Sequence, residues 1–266
     1  MASAARAIDP ASDRPVYKQI ADMLRQRIDA GDIAPGGRLP SESELMQQFG
    51  VARATVRRSF DLLAMEGRVR TVKGVGVFAR APTAAPIRTQ RAERLARRHR
   101  TSGKSALEID AERTGARLTQ EIVERADVPA PPLVARCLDI PGGQPVFVRR
   151  RVIAIEGSPA QLADSYIPLD IAVAPVREQY TGPGRTYARI EEQGHRLTRF
   201  REQLTFRMPT PDEVRALHLD VGVPVIDLVR VAYTDDRPVE CFVSVLAGDK
   251  HRFEYHIDVD TGVCRA

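Results

Sequence analysis

An α+β chain of two domains is what this sequence predicts, and three observations predict it. Residues 13–80 carry helical periodicity followed by a short valine-rich hairpin pattern. From about residue 106, apolar runs of strand length alternate with short helical stretches. The charge divides at the same place: residues 1–105 hold 20 Lys+Arg against 10 Asp+Glu, and residues 106–266 hold 20 against 25, within a total of +5. A basic first part on an acidic second part implies that only the first touches nucleic acid.

The 266 residues and 43% hydrophobic content suffice for two ordinary cores. No apolar run approaches the ~18 residues of a membrane-crossing helix, so no membrane partner is expected. Met1 to Pro10 lacks the apolar centre of a signal peptide. Cys137, Cys241 and Cys264 are far apart in sequence and lack metal-ligand spacing, so they read as reduced intracellular thiols. A cytoplasmic chain is the expectation, with no metal and no cofactor.

In order along the chain, residues 1–12 are Ala-rich and expected to be disordered, and 13–80 form the first domain. Pro15 opens a helix whose Val16, Ile20, Leu24 and Ile28 recur every four residues, a core-facing stripe that Gly31 ends. Pro35-Gly36-Gly37 makes a turn. Ser41 with Glu44 three residues on is a capping box, which satisfies two orphan amides at a helix start. Leu45, Met46 and Phe49 are the apolar positions of that helix, and Gly50 supplies its left-handed exit. A second helix follows at once, with Val56, Phe60 and Leu63 on one face and Arg53, Thr55, Arg57 and Arg58 near its start. Two helices across a tight Gly turn, the second rich in arginine, make a helix-turn-helix whose second helix can enter a major groove. Valines then alternate on both sides of Lys73-Gly74, a hairpin with a basic tip.

Residues 81–105 read as a linker, with Pro82, Pro86 and a run of arginines. Gly103-Lys104-Ser105 lacks the earlier glycine of a phosphate loop, because Arg98 stands there. The second domain spans 106–260, with a tail from 261 to 266. Helices are expected over 105–115, 132–138, 171–179, 184–193 and from Pro211 to about Leu219, the last opened by a Thr210–Glu213 capping box. Strands are expected over 118–123, 145–155, 160–167, 197–206, 223–233, 239–246 and 253–259.

The first 80 residues resemble the GntR family of bacterial transcription regulators. Leu39-Pro40-Ser41-Glu42, the turn and helix from Val51 through Thr55 to Arg57, Glu66-Gly67 and the Gly74-x-Gly76 wing occur in the family's order. The resemblance implies a winged helix-turn-helix that binds double-stranded DNA as a homodimer on a palindromic operator. Arg53 and Arg57 are the expected base-edge or phosphate contacts, with guanine the favoured target of an arginine fork. Thr55 and Arg58 would hold the backbone, Ser43 and Ala54 would lie alongside, and Lys73-Gly74 would be the wing contact. One departure stands out. Ala52 occupies the place of a family serine that caps the second helix or touches a phosphate.

Residues from about 106 to 260 resemble the UTRA effector-binding domain that marks the HutC subfamily. The motifs are Gly143-x-Pro145-Val146, Gly157-Ser158-Pro159, Ser165-Tyr166-Ile167-Pro168, Arg237-Pro238-Val239-Glu240 and Ser244 through Gly248-Asp249. This implies a six-stranded antiparallel sheet with helices, related in fold to chorismate lyase, that binds a small effector and dimerises. Arg149 and Arg151 alternate on one strand, so they share a face and can clamp an anion; the alternative is an exposed basic face or ion pairs to acids such as Glu240. The resemblance adds Tyr187, Glu240 and Ser165 to the effector set. Ala163, Arg185-Thr186 and Leu246 replace polar or hydrophobic residues of sugar-phosphate-sensing relatives. An anionic effector less polar than an amino-sugar phosphate is therefore expected.

These features predict a ligand-responsive transcription regulator, expected to be a repressor, in a bacterial cytoplasm at the nucleoid. The other reading is a chorismate-lyase-like enzyme tethered to a DNA-binding module. No catalytic set is visible for it: His99, His195, His218, His251 and His256 fall in no nucleophile–base or metal pattern.

Overall fold

The computed structural model describes residues 8–80, 87–90, 115–178 and 185–254, which fall into two compact units. In the first, helix α1 (Val16–Asp29) starts after Pro15 and buries Ile20, Ala21 and Leu24. Helix α2 (Glu42–Phe49) opens on the expected capping box. The Glu44 amide donates to Ser41 Oγ at 3.2 Å, and the Ser41 amide donates to the Glu44 carboxylate at 2.6 Å. Gly50, at φ 64°, turns the chain out of α2, a conformation glycine adopts without a Cβ clash.

Helix α3 (Arg53–Met65) buries Val56, Phe60 and Leu63 against Ile20, Leu24 and Leu45. Its opposite side carries Arg53, Arg57 and Asp61, all exposed. Strands β1 (Val69–Val72) and β2 (Gly76–Ala79) form the antiparallel wing, with Gly74 at φ 77° in the turn. Val69 and Ala79 close the same core. Arg25 joins α1 to the end of α3 through Glu66, at 2.7 and 2.9 Å. The first unit is thus three helices and a wing, as expected.

The second unit is built on a six-stranded antiparallel sheet. In chain order its strands are β4 (Leu118–Pro129), β5 (Pro145–Ile155), β6 (Ser158–Pro168), β7 (Arg199–Arg207), β8 (Val225–Tyr233) and β9 (Pro238–Ala247). Their order across the sheet is β4-β5-β6-β9-β8-β7. Helix α4 (Pro132–Leu138) packs on one face, where Val134, Ala135 and Leu138 meet Val146, Val148, Tyr166 and Val231. Cys137 and Cys241 lie in this same cluster as buried free thiols; burial and the neighbouring Cys137 push the Cys241 thiol well up.

On the other face, Ile171 and Val176, together with Ile190 of helix α5 (Arg185–Glu192), cover Phe147, Ile167 and Ala232. Helix α6 (Pro211–Leu217) opens on the predicted Thr210–Glu213 box. Arg207 fastens it to the sheet, bonding Glu213 at 2.7 Å and Asp227 at 2.6 Å.

Three expectations need correction. Residues 171–178 form turns and not a helix; Pro175, which offers no amide, stands in the middle of them. Leu118–Val123 is only the start of a strand that runs to Pro129, where paired positions alternate part-buried and exposed. The expected linker contains a short strand, β3 (Ile87–Gln90), which pairs in parallel with β10 (His251–Glu254). The remaining linker residues, the helix expected over 105–115 apart from Gly115 (a turn residue), most of the strand expected over 253–259, and His256 and Cys264 lie outside the described residues.

Candidate nucleic-acid interface and ligand-binding cluster

The short turn between α2 and α3 and the apolar stripe of α3 aim its first two turns outward. Arg53, Ala54, Arg57 and Arg58 are exposed, as are Ser43 on α2 and Lys73 and Gly74 at the wing tip. Thr55 is part-buried. The expected DNA-contacting residues therefore gather on one unit with their polar ends free to reach a duplex, with two qualifications. Arg58 lies over the Tyr17 ring of α1, 4.1 Å from its centre, so part of its role is to pack the helices. Arg53 and Arg57 both donate through Nε to Glu42, at 2.6 and 2.9 Å. The Arg57 contact, then the Arg53 contact, hold the Glu42 carboxyl below its ordinary value despite some desolvation.

Ala52 is the N-cap residue of α3. Its φ −67° and ψ 151° are those of a capping position, but no side chain bonds the helix amides. The geometry is ready for a hydroxyl. Ala52→Ser is expected to raise the stability of the first unit by about 1 kcal/mol, read as a higher denaturation midpoint at unchanged slope.

On the second unit, register places a polar row across the sheet. Arg149 of β5 stands beside Ser165 of β6, then Phe242 of β9, Arg230 of β8 and Glu202 of β7. Arg151 lies two residues along on the same face. Its Nη2 donates to Ser165 Oγ at 2.7 Å, and its guanidinium lies over Phe242 at 5.8 Å. Arg150 faces the other way, onto Asp164 and Glu124.

Arg149 is only 3% exposed. It donates Nη1 to Thr186 Oγ1 at 2.8 Å and Nη2 to the Val176 and Glu178 carbonyls, the latter at 3.0 Å. Burial, with Arg151 alongside, lowers its guanidinium to about 10, so it stays charged at neutral pH. Its Nε is buried with no hydrogen-bond partner, and so is one oxygen of Glu240, itself 3% exposed.

Tyr187 packs its ring on Phe200, centres 5.2 Å apart. Burial and then the Glu240 carboxylate push its phenol well above the ordinary value, so it remains a donor. The structure thus brings Arg149, Arg151, Ser165, Tyr187 and Glu240 to one face. Sequence reasoning missed Arg230, buried against Glu202 at 2.5 Å and interacting with Tyr187. Its alternation with Leu228 and Ala232 was the available signal, but its partner sits 28 residues away. Among the described residues no cluster of His, Cys, Asp or Glu could hold a metal, and no helix is long and apolar enough to cross a membrane.

A winged helix-turn-helix with exposed arginines, joined in one chain to an antiparallel sheet bearing a polar cluster, defines a DNA-binding regulator with a ligand-binding domain. The comparisons agree. The gntR family of bacterial regulatory proteins matches residues 16–79, and the UTRA domain matches residues 113–252. The histidine utilization repressor of Pseudomonas putida is 28% identical over 246 residues, 90% of this chain and 91% of that protein. An HTH-type transcriptional regulator of Rhizobium meliloti is 30% identical over 237 residues, 88% of this chain and 92% of that one. The crystal structure of PhnF from Mycobacterium smegmatis superposes with a TM-score of 0.55 at 25% identity, over 90% of this chain and 99% of that one. The chain belongs to the GntR family, with a UTRA domain as its second unit. It is a transcription regulator and not a lyase-like enzyme.

Proposed function

We propose that this regulator is a repressor that binds a two-fold-symmetric operator as a homodimer and leaves it when a small anion occupies the UTRA cluster. The observation that carries the reading is α3, which turns Arg53 and Arg57 outward at 63% side-chain exposure while its other side is core. Ser43, Ala54, Thr55, Arg58 and the Lys73-Gly74 wing tip complete the DNA-facing set. The P. putida relative is named a repressor, which supports that sign of control.

Arg149, Arg151, Ser165, Tyr187 and Glu240 form the effector set. Two guanidiniums attract an anion, and the two unpartnered buried atoms, Arg149 Nε and Glu240 Oε2, offer a donor and an acceptor to a ligand. Ala163 and Leu246 make the surroundings less polar, in keeping with an effector less polar than an amino-sugar phosphate. Such a ligand shifts DNA binding only by its unequal affinity for the bound and released states.

Selection of purified protein on random duplexes at about 150 mM salt tests the DNA reading, since salt sets the non-specific background. The expected result is one enriched palindrome, from which a carboxylate or phosphate of the right shape then releases the protein. Tight binding with no enrichment overturns it. A thermal-shift screen in which only amino-sugar phosphates stabilise the chain overturns the effector chemistry.

A further inference from the structure

The DNA-facing arginines are not independent. Glu42 is the first residue of α2, directly after Ser41, whose capping box with Glu44 fixes where that helix begins. From there its two carboxylate oxygens reach across to α3. Oε2 accepts from Arg53 Nε at 2.6 Å and Oε1 from Arg57 Nε at 2.9 Å. One oxygen serves each arginine.

We infer that Glu42 is a positioning residue for base recognition: one carboxylate holds both arginines by their inner nitrogens and leaves only their outer forks for the duplex. A guanidinium can meet a base edge side-on, through Nε and Nη2, or end-on, through Nη1 and Nη2. With Nε engaged, the side-on mode is withdrawn for both residues. The end-on fork is the one that remains, and it remains in a fixed direction.

Three further observations support this. The guanidiniums are one helical turn apart and of like charge, an arrangement that repels unless something between them is negative. The start of α2 favours a negative side chain, because its unpaired amides point there. The carboxyl is held below its ordinary value, chiefly by Arg57 and Arg53 against its own desolvation, so it is ionised whenever DNA is bound near neutral pH. The arrangement also has a cost for affinity. A carboxylate close to the phosphates weakens binding to every duplex alike, so Glu42 trades general attraction for fixed geometry.

The inference rests on the reading that Arg53 and Arg57 touch DNA, and the experiment separates the two. Affinities of the full-length protein for its selected duplex and for an unrelated duplex are measured at two salt concentrations. The variants are E42Q, E42D and R57A, with a thermal melt for each. E42Q removes the charge at constant size. E42D keeps the charge but is one methylene too short to serve both arginines.

For E42Q, binding to unrelated DNA is expected to tighten roughly two- to fivefold. Its ratio of selected to unrelated affinity is expected to fall about tenfold. For E42D the ratio falls while unrelated binding stays near the wild-type value. Neither melt moves. If both Glu42 variants keep the ratio within about twofold while R57A collapses it, the arginines read DNA without Glu42 and the inference is wrong. If E42Q weakens both duplexes equally and lowers the melt, Glu42 is merely structural and the inference is again wrong. If R57A itself keeps the ratio, the reading beneath the inference fails and takes the inference with it.

Discussion

Arg57→Ala is expected to weaken binding to the selected duplex by roughly ten- to a hundredfold, while binding to unrelated DNA drops only a few-fold. The asymmetry follows from where Arg57 sits. It is on the solvent side of α3, one turn beyond Arg53, with its side chain 63% exposed. Its removal takes no atom from the core formed by Val56, Phe60 and Leu63, so the melting temperature should stay put. What is lost is one fork toward a base edge and one positive charge. The charge loss is common to all duplexes and lowers the salt slope by about one. The fork loss is felt only where the right base is present.

Lys73→Ala, at the exposed wing tip, supplies the control. It should lower affinity for all duplexes by a similar factor, with the ratio unchanged. Equal losses on both duplexes for Arg57→Ala would reassign that residue to the phosphates and move base recognition elsewhere on the unit.

How much of this was legible in the sequence depended on distance along the chain. The capping box at Ser41, the exit at Gly50 and the Lys73-Gly74 turn all rest on contacts within four residues, and each could be read directly. The missing cap at Ala52 was legible only through the family resemblance, which puts at that position a serine that caps the helix or touches a phosphate; the structure makes Ala52 the N-cap residue, with no side-chain bond to the helix amides. By contrast, Glu42 lies 11 residues from Arg53 and 15 from Arg57, and nothing local announces that a carboxylate of α2 will bridge them.

The same limit governs the second unit. Alternation placed Arg149 and Arg151 on one face correctly. It could not show that Arg149 is turned toward carbonyls 27 and 29 residues away. The parallel pairing of Ile87–Gln90 with His251–Glu254 joins opposite ends of the unit, and a four-residue strand carries too little pattern to be recognised inside a proline-flanked segment. Residues 171–178 misled in the other direction: their apolar spacing resembles a helix, while their burial is imposed by the sheet beneath them.

Those carbonyls give Arg149 and Arg151 different expected fates, although the two residues alternate on one strand and share one charge. Arg149→Ala would leave Thr186 Oγ1 and the Val176 and Glu178 carbonyls without their donor, and Glu240 without its nearby positive charge. The buried acceptors among them, Thr186 Oγ1 and the Val176 carbonyl, are costly to strip of a charged donor, so the second unit should lose about 3–5 kcal/mol, roughly 10 °C in its melt. Arg151→Ala removes a part-buried side chain that bonds Ser165 and lies over Phe242. That should cost only about 1 kcal/mol. Its larger consequence is at the ligand, since Arg151 is part-buried on the face that carries the polar cluster, while the Nη donors of Arg149 are taken up by Thr186 and by the Val176 and Glu178 carbonyls. An anion that stabilises the wild type should therefore leave the Arg151→Ala melt unmoved, while a correctly folded Arg149→Ala protein at low temperature still responds, though weakly. The reverse pattern, with Arg149→Ala stable but insensitive to the anion, would make Arg149 the ligand's anchor and reduce its bonds to Val176 and Glu178 to a resting arrangement that the effector displaces.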